Sequence, residues 1–101
     1  MEKVTNVLAN DDYSLLLTFS TGEVKLFDMR PYLAKGMFTS LKALERFRQA
    51  HVAYDTVCWP GGLDISPETL YDRSVAAGSG LLQAAEPRAD YVVRNTAPKK
   101  Q

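Results

Sequence analysis

With 101 residues, 46% of them hydrophobic and 24% charged, the chain has the size and balance of one soluble globular domain with a single modest core. Twelve basic residues offset twelve acidic ones, and a net charge of zero excludes the bulk attraction to nucleic acid or anionic membrane that a strongly basic domain exerts. Cys58 is the only cysteine, which rules out an internal disulfide; no apolar run suits a secretory signal or a bilayer span, so a cytoplasmic protein is expected.

Val4 to Ala9 is a short apolar–polar segment followed by the turn cluster Asn10-Asp11-Asp12. From Tyr13 to Phe19 the alternation is regular. Tyr13, Leu15, Leu17 and Phe19 share one face, and Ser14, Leu16, Thr18 and Ser20 share the other, more polar one, as in a half-buried strand. Ser20-Thr21-Gly22-Glu23 reverses the chain, with Gly22 supplying a positive φ. Glu23 to Asp28 returns, alternating Val24 and Leu26 with Lys25 and Phe27. Two strands alone are marginal, so the first segment is expected to complete a three-stranded meander.

Asp28 to Leu33 suits a short helical turn with Pro31 near its start and Gly36 at its end. Ser40 is placed to cap a second helix through about Arg48, with Leu41, Leu44 and Phe47 recurring three apart. The opposite side of that helix, Lys42, Glu45, Arg46 and Gln49, reads as solvated surface. His51 to Tyr54 and Thr56 to Trp59 read as two further strands around Asp55, and Pro60-Gly61-Gly62 breaks the chain. Ser66 then caps a closing helix with Pro67 at its first position, and Ile65 and Leu70 are spaced as a hydrophobic staple.

The expected architecture is α+β: an N-terminal three-stranded antiparallel β-meander, two short helices, further short strands and a closing helix. This domain spans residues 1–77, and residues 78–101 form a C-terminal extension that opens with Gly78-Ser79-Gly80. Leu81, Leu82, Tyr91, Val92 and Val93 put more apolar surface in that extension than water tolerates when scattered, so it is expected to dock on the domain or on a partner.

Chemistry-bearing residues are sparse. His51 is the sole histidine and Cys58 has no CxxC partner, so no metal site and no cofactor is expected. His51 and Cys58 lie seven residues apart and would approach one another on a hairpin turning at Asp55. A cysteine beside Trp59 in an apolar strand nonetheless reads as a core residue, and a thiol-dependent enzyme is the least favoured function. Asp11, Asp12 and Asp55 read as turn formers, and Asp64, two residues before the cap, as a bend acceptor for backbone N–H groups. Gly61-Gly62 lacks the remainder of a phosphate-binding loop. Trp59 reads first as a core-edge plug and second as a binding residue. Arg30, Lys35, Arg46 and Arg48 would form a basic patch if the two short helices lay side by side.

The hairpin residues Leu15 to Val24, then Phe27-Asp28, Phe47 and Val57 to Tyr71, together resemble a bacterial family, domain of unknown function 2442. A TFS-x-GE hairpin followed by WP-x-G-x-D-x-x-PE-x-LY carries the resemblance, which covers about Val4 to Val75. In the second motif the structural residues are Trp59, Pro60, Gly61, Asp64, Ser66 and Pro67. The resemblance implies a small α+β domain and carries no catalytic residue set. Some relatives add a helix-turn-helix module, and others are encoded beside a second small protein, which implies a two-gene, toxin–antitoxin-like arrangement. Here Leu81 to Gln101 is too short and too weakly patterned for a helix-turn-helix.

The expected function is a non-enzymatic protein-interaction domain, binding another protein or itself as a homo-oligomer, with Leu81, Leu82, Tyr91, Val92 and Val93 at the interface. The alternative is a transcription-regulatory or nucleic-acid-associated domain acting through Arg30, Lys35, Arg46 and Arg48.

Overall fold

In the computed structural model, which describes residues 2–77, the alternation of the first third becomes an antiparallel meander of β1 (Val4–Ala9), β2 (Ser14–Phe19) and β3 (Val24–Asp28). The extension bearing Leu81, Leu82, Tyr91, Val92 and Val93 lies outside the described residues. Gly22, at φ 93°, makes the β2–β3 turn, and the Phe19 N–H donates to the Glu23 carbonyl at 2.9 Å. Leu15, Leu17 and Phe19 point into the core as their spacing requires. Of the two alternating sets in β3, the fold buries Phe27, which lies opposite Leu15. Val24 and Leu26 lie opposite Thr18 and Leu16 on the outer face.

After β3 a single 3-10 turn at Arg30–Tyr32 carries Pro31 in its first turn, as expected. The next segment departs from the expectation of one helix capped by Ser40. A 3-10 segment at Gly36–Lys42 gives way to a four-residue helix α1 (Leu44–Phe47), with extended backbone at Ala43 (φ −72°, ψ 113°) between them. Ser40 Oγ donates to the Met37 carbonyl instead of capping, and Gly36 starts the 3-10 segment instead of ending the previous turn. The physical reason is a competing partner. Tyr13 Oη donates to the Lys42 carbonyl, which in a continuous helix would accept the Arg46 N–H; that N–H bonds to Ala43 at 2.9 Å. Tyr13 also stacks obliquely on Phe47, with ring centroids 5.2 Å apart, so Leu41 and Phe47 are both drawn into the core at the cost of helical continuity.

A second antiparallel sheet follows: β4 (His51–Ala53), β5 (Thr56–Trp59) and β6 (Leu63–Ile65), with β5 central and buried along its length. Tyr54 and Asp55 form its first turn with φ of 53° and 63°, the double positive φ that a two-residue hairpin demands. The Asp55 carbonyl accepts the Val4 N–H at 2.9 Å, tying this hairpin to β1.

Pro60-Gly61-Gly62 breaks the chain as a second hairpin turn, with Gly61 and Gly62 at φ 95° and 85° and Trp59 opposite Leu63, and the strand β6 that follows it lies beyond the expected elements. Asp64 therefore sits on a strand opposite Cys58, facing solvent, and accepts no hydrogen bond at a bend. The closing helix α2 (Pro67–Arg73) begins where expected, with Ser66 Oγ accepting the Thr69 N–H at 3.3 Å. A final two-residue strand, β7 (Val75–Ala76), pairs with β3 and extends the meander to four strands in the order β1-β2-β3-β7. Leu70 of α2 and Ile65 before it both enter the one core, which joins the buried residues of both sheets and of the helical segments.

Candidate functional site

The residues of the WP-x-G-x-D-x-x-PE-x-LY segment act as fasteners. Trp59 is buried and donates its indole N–H to the Phe47 carbonyl at 2.9 Å, which satisfies the end of α1. Phe38 meets the indole edge-on at 6.5 Å and Phe47 lies 6.2 Å from it, so the ring has no free face for a ligand. Pro60 and Gly61 turn the hairpin, and Ser66 and Pro67 start α2. At the far end of the segment, Tyr71 Oη donates to Glu23 Oε1 at 2.7 Å, and Thr21 donates to the same oxygen at 2.9 Å. Lys25 Nζ sits 3.8 Å above the Tyr71 ring and donates to the Tyr71 carbonyl at 2.7 Å. The GE of the hairpin motif and the LY of the second motif thus meet in space. The Tyr71 bond, followed by that of Thr21, holds the Glu23 carboxyl below its ordinary pKa, and the same contact raises the Tyr71 hydroxyl.

His51 and Cys58 are directly opposite each other across β4 and β5, as a hairpin at Asp55 requires. They do not assemble a nucleophile. Cys58 Sγ turns to the Ala53 carbonyl, 3.6 Å away, and His51 Nδ1 lies 3.0 Å from the Gln49 carbonyl. Burial first, and then the Asp64 carboxylate, push the Cys58 thiol pKa upward, which opposes thiolate formation. Among the described residues no three His, Cys, Asp or Glu side chains are grouped to hold a metal.

The four basic residues are dispersed in their engagements. Arg30 grips Asp28 through two bonds, Nε to Oδ1 at 2.9 Å and a terminal nitrogen to Oδ2 at 2.8 Å. Arg48 binds Asp11 through Nε at 3.0 Å, with a second, shorter contact to the same oxygen. Lys35 lies 5.5 Å from the Tyr32 ring centre, and Arg46 is exposed on α1. Burial pushes the Asp28 carboxyl up, but the hydrogen bonds from the Arg30 side chain and backbone outweigh it and leave the pKa lowered.

The surface that sequence reasoning missed is the outer face of the four-stranded sheet. Strand register places Leu8 opposite Leu16, Leu16 opposite Leu26, and Leu26 opposite Val75. One apolar side chain from each strand thus forms a straight ladder across the whole sheet. Leu8, Leu26 and Val75 are 56%, 36% and 65% exposed, and Leu16 is half-buried between them. Val24, 41% exposed, adds a fifth apolar side chain beside the ladder. At the Leu26–Val75 end lies a shallow open groove of about 230 Å³ with Asp12, Asp28, Arg30 and Arg73 at its rim. An apolar stripe edged by charges of both signs has the make-up of an interface core and rim. The sequence signal was Leu16 among the polar residues of its face; its neighbours on the stripe depend on register.

No curated protein matches the chain. Among solved structures, the crystal structure of a Nitrosomonas europaea protein named as a "putative DNA binding protein" is similar, with a TM-score of 0.65 and 28% sequence identity. The match covers 73% of this chain but 49% of that one, so the chain spans about half the length of its structural relative. The family model for the protein of unknown function DUF2442 matches residues 4–76, from the start of β1 to the end of β7, and the chain belongs to that family.

Proposed function

We propose that this chain is a non-enzymatic protein-interaction domain whose binding surface is the outer face of the four-stranded sheet. The observation that carries the reading is the Leu8–Leu16–Leu26–Val75 ladder, an unbroken apolar line on a face that no described element covers. A monomer that leaves such a line in water exposes apolar surface with no structural return. Supporting it, the groups with shifted electrostatics serve internal contacts: Glu23 and Tyr71 bond each other, Asp28 holds Arg30, and the Cys58 thiol, its pKa raised by burial, turns to the Ala53 carbonyl. The test compares wild type with Leu16→Asp and Leu26→Asp, both in light-scattering mass and in the proteins co-purified from the native host. The reading predicts that a specific assembly present with wild type is lost in both variants; an unchanged assembly overturns it.

A second reading, nucleic-acid association, draws on the name of the Nitrosomonas europaea relative. That name belongs to the whole of a chain that this domain matches over 49%. Phosphate contacts by Arg30 or Arg48 would also have to displace Asp28 or Asp11. A gel shift that weakens steeply as salt rises, and that Arg46→Ala and Lys35→Ala reduce, would favour this reading; no shift at low salt rejects it.

A further inference from the structure

We propose that Tyr54 is a docking residue whose receptor is the groove at the Leu26–Val75 end of the ladder on a second copy of this chain. This rests on the interaction reading and names the partner of that face.

Two tyrosines adopt a positive φ, a conformation that bulky side chains rarely take: Tyr13 at 66° and Tyr54 at 53°. Tyr13 is used inside the molecule, with its hydroxyl on the Lys42 carbonyl and its ring against Phe47. Tyr54 is 93% exposed at the tip of the β4–β5 hairpin. Its side chain makes no hydrogen bond and no ring contact among the described residues. Asn-Gly would make this turn with less strain. An aromatic ring held out at such a point has the make-up of an interface anchor.

The groove offers what a phenol ring takes. Leu26 and Val75 are its apolar lining, and Arg73, which makes no ion pair among the described residues, stands at its rim with Asp12. Asp12 accepts both Ser14 bonds on Oδ1, while Oδ2 accepts none among the described residues. The groove volume of about 230 Å³ exceeds the ~150 Å³ that takes a benzene ring. The fold already builds this recognition once: Lys25 lies over the Tyr71 ring, and the Tyr71 hydroxyl donates to the Glu23 carboxylate. Arg73 and Asp12 present the same two charges, one for a ring face and one for a hydroxyl.

Topology makes the contact intermolecular. The Tyr54 hairpin is tied to the start of β1, where the Val4 N–H bonds to the Asp55 carbonyl. Val4 pairs with Phe19, at the opposite end of β2 from Ser14, which lines the groove. β1 is one edge of the sheet, and β7, beside the groove, is the other. Tyr54 and the groove therefore lie toward diagonally opposed corners, separated by the length of β2, roughly 17 Å, more than one tyrosine side chain spans. A second copy brings them together, once in a chain of copies or twice in a reciprocal two-fold pair. With no net charge, the copies have no bulk repulsion to overcome.

Sedimentation equilibrium of the full chain across a range of concentrations tests this. Wild type is expected to associate. Tyr54→Asn, chosen because Asn accepts a positive φ, should weaken association at least tenfold with a urea midpoint no lower than that of wild type. Arg73→Ala and Val75→Asp, both at exposed positions, should weaken it as well. An equimolar mixture of Tyr54→Asn and Val75→Asp should form a one-to-one pair that neither forms alone, since one copy keeps the groove and the other the tyrosine. A monomeric wild type, a Tyr54→Asn variant that associates as tightly as wild type, or a mixture that forms no pair overturns the proposal. Association that survives Tyr54→Asn and is lost in Leu26→Asp overturns it too, and leaves the interaction reading standing. That reading fails separately, when Leu16→Asp and Leu26→Asp leave every wild-type assembly unchanged.

Discussion

The two faces of the four-stranded sheet are built from the same kinds of residue and have opposite fates. Leu15 and Leu16 are neighbours in β2, as are Leu26 and Phe27 in β3. Leu15 and Phe27 are buried in the core, while Leu16 and Leu26 line the open side. Side-chain type therefore does not separate core from surface in this chain; the strand's two-residue period does. The inner face forms the buried core, and the outer face leaves apolar side chains open.

The largest test of that contrast is a pair of adjacent truncations. Phe27→Ala should cost about 3–5 kcal/mol, from lost burial and the cavity left against Leu15 and the stacked Tyr32 ring. Leu26→Ala, one residue away on the outer face, should cost less than about 1 kcal/mol, as surface changes do. Urea unfolding reads both, and similar midpoints for the two variants would erase the distinction between the faces.

A smaller effect is expected where the inner core is fastened by polarity. Trp59→Phe keeps an aromatic ring but leaves the Phe47 carbonyl with only the longer bond from the Ala50 N–H, at 3.2 Å, which should cost about 1 kcal/mol in the same measurement. Next comes the reactivity of Cys58. Its raised pKa predicts slow alkylation at neutral pH in the folded protein, with the rate climbing as pH rises and as urea opens the core. Rapid labelling of the folded chain at neutral pH would show the thiol to be activated.

The smallest effect concerns Tyr71 and Glu23, at the rim between the sheet and α2. Tyr71→Phe should return the Glu23 carboxyl upward toward the ordinary value, followed by side-chain NMR titration, with little loss of melting temperature. The sign is fixed by the lowered folded-state pKa. The stabilisation from the Tyr71 contact is present above the unfolded carboxylate pKa of about 4.3 and is lost as pH falls through the lower folded value. In Tyr71→Phe that acid-side loss should largely disappear.

Much of the fold was legible in the sequence because local rules set it. The meander followed from period-two alternation and Gly22, the α2 start from Ser66 and Pro67, and the β4–β5 hairpin from two short apolar runs around Asp55. The single helix expected from Ser40 to Arg48 was not formed, because Tyr13, 29 residues upstream of Lys42, takes the carbonyl that helix needed. Strands β6 and β7 are three and two residues long, too short for a period-two pattern to mark them. The candidate site was less legible still. Each member of the ladder is an unremarkable apolar residue, and only strand pairing brings Leu8, Leu16, Leu26 and Val75 into line.

By itself the sequence determined the class of fold, the family motifs and the points at which the chain turns, since these depend on backbone conformations available to a few neighbouring residues. Tertiary structure decided which alternating set of β3 faces inward, how the two motifs join through Glu23 and Tyr71, and that a row of apolar side chains lies open. Those outcomes depend on hydrogen-bond register between strands distant in sequence. A shift of one residue would exchange the two faces, and only packing of the whole core selects between them.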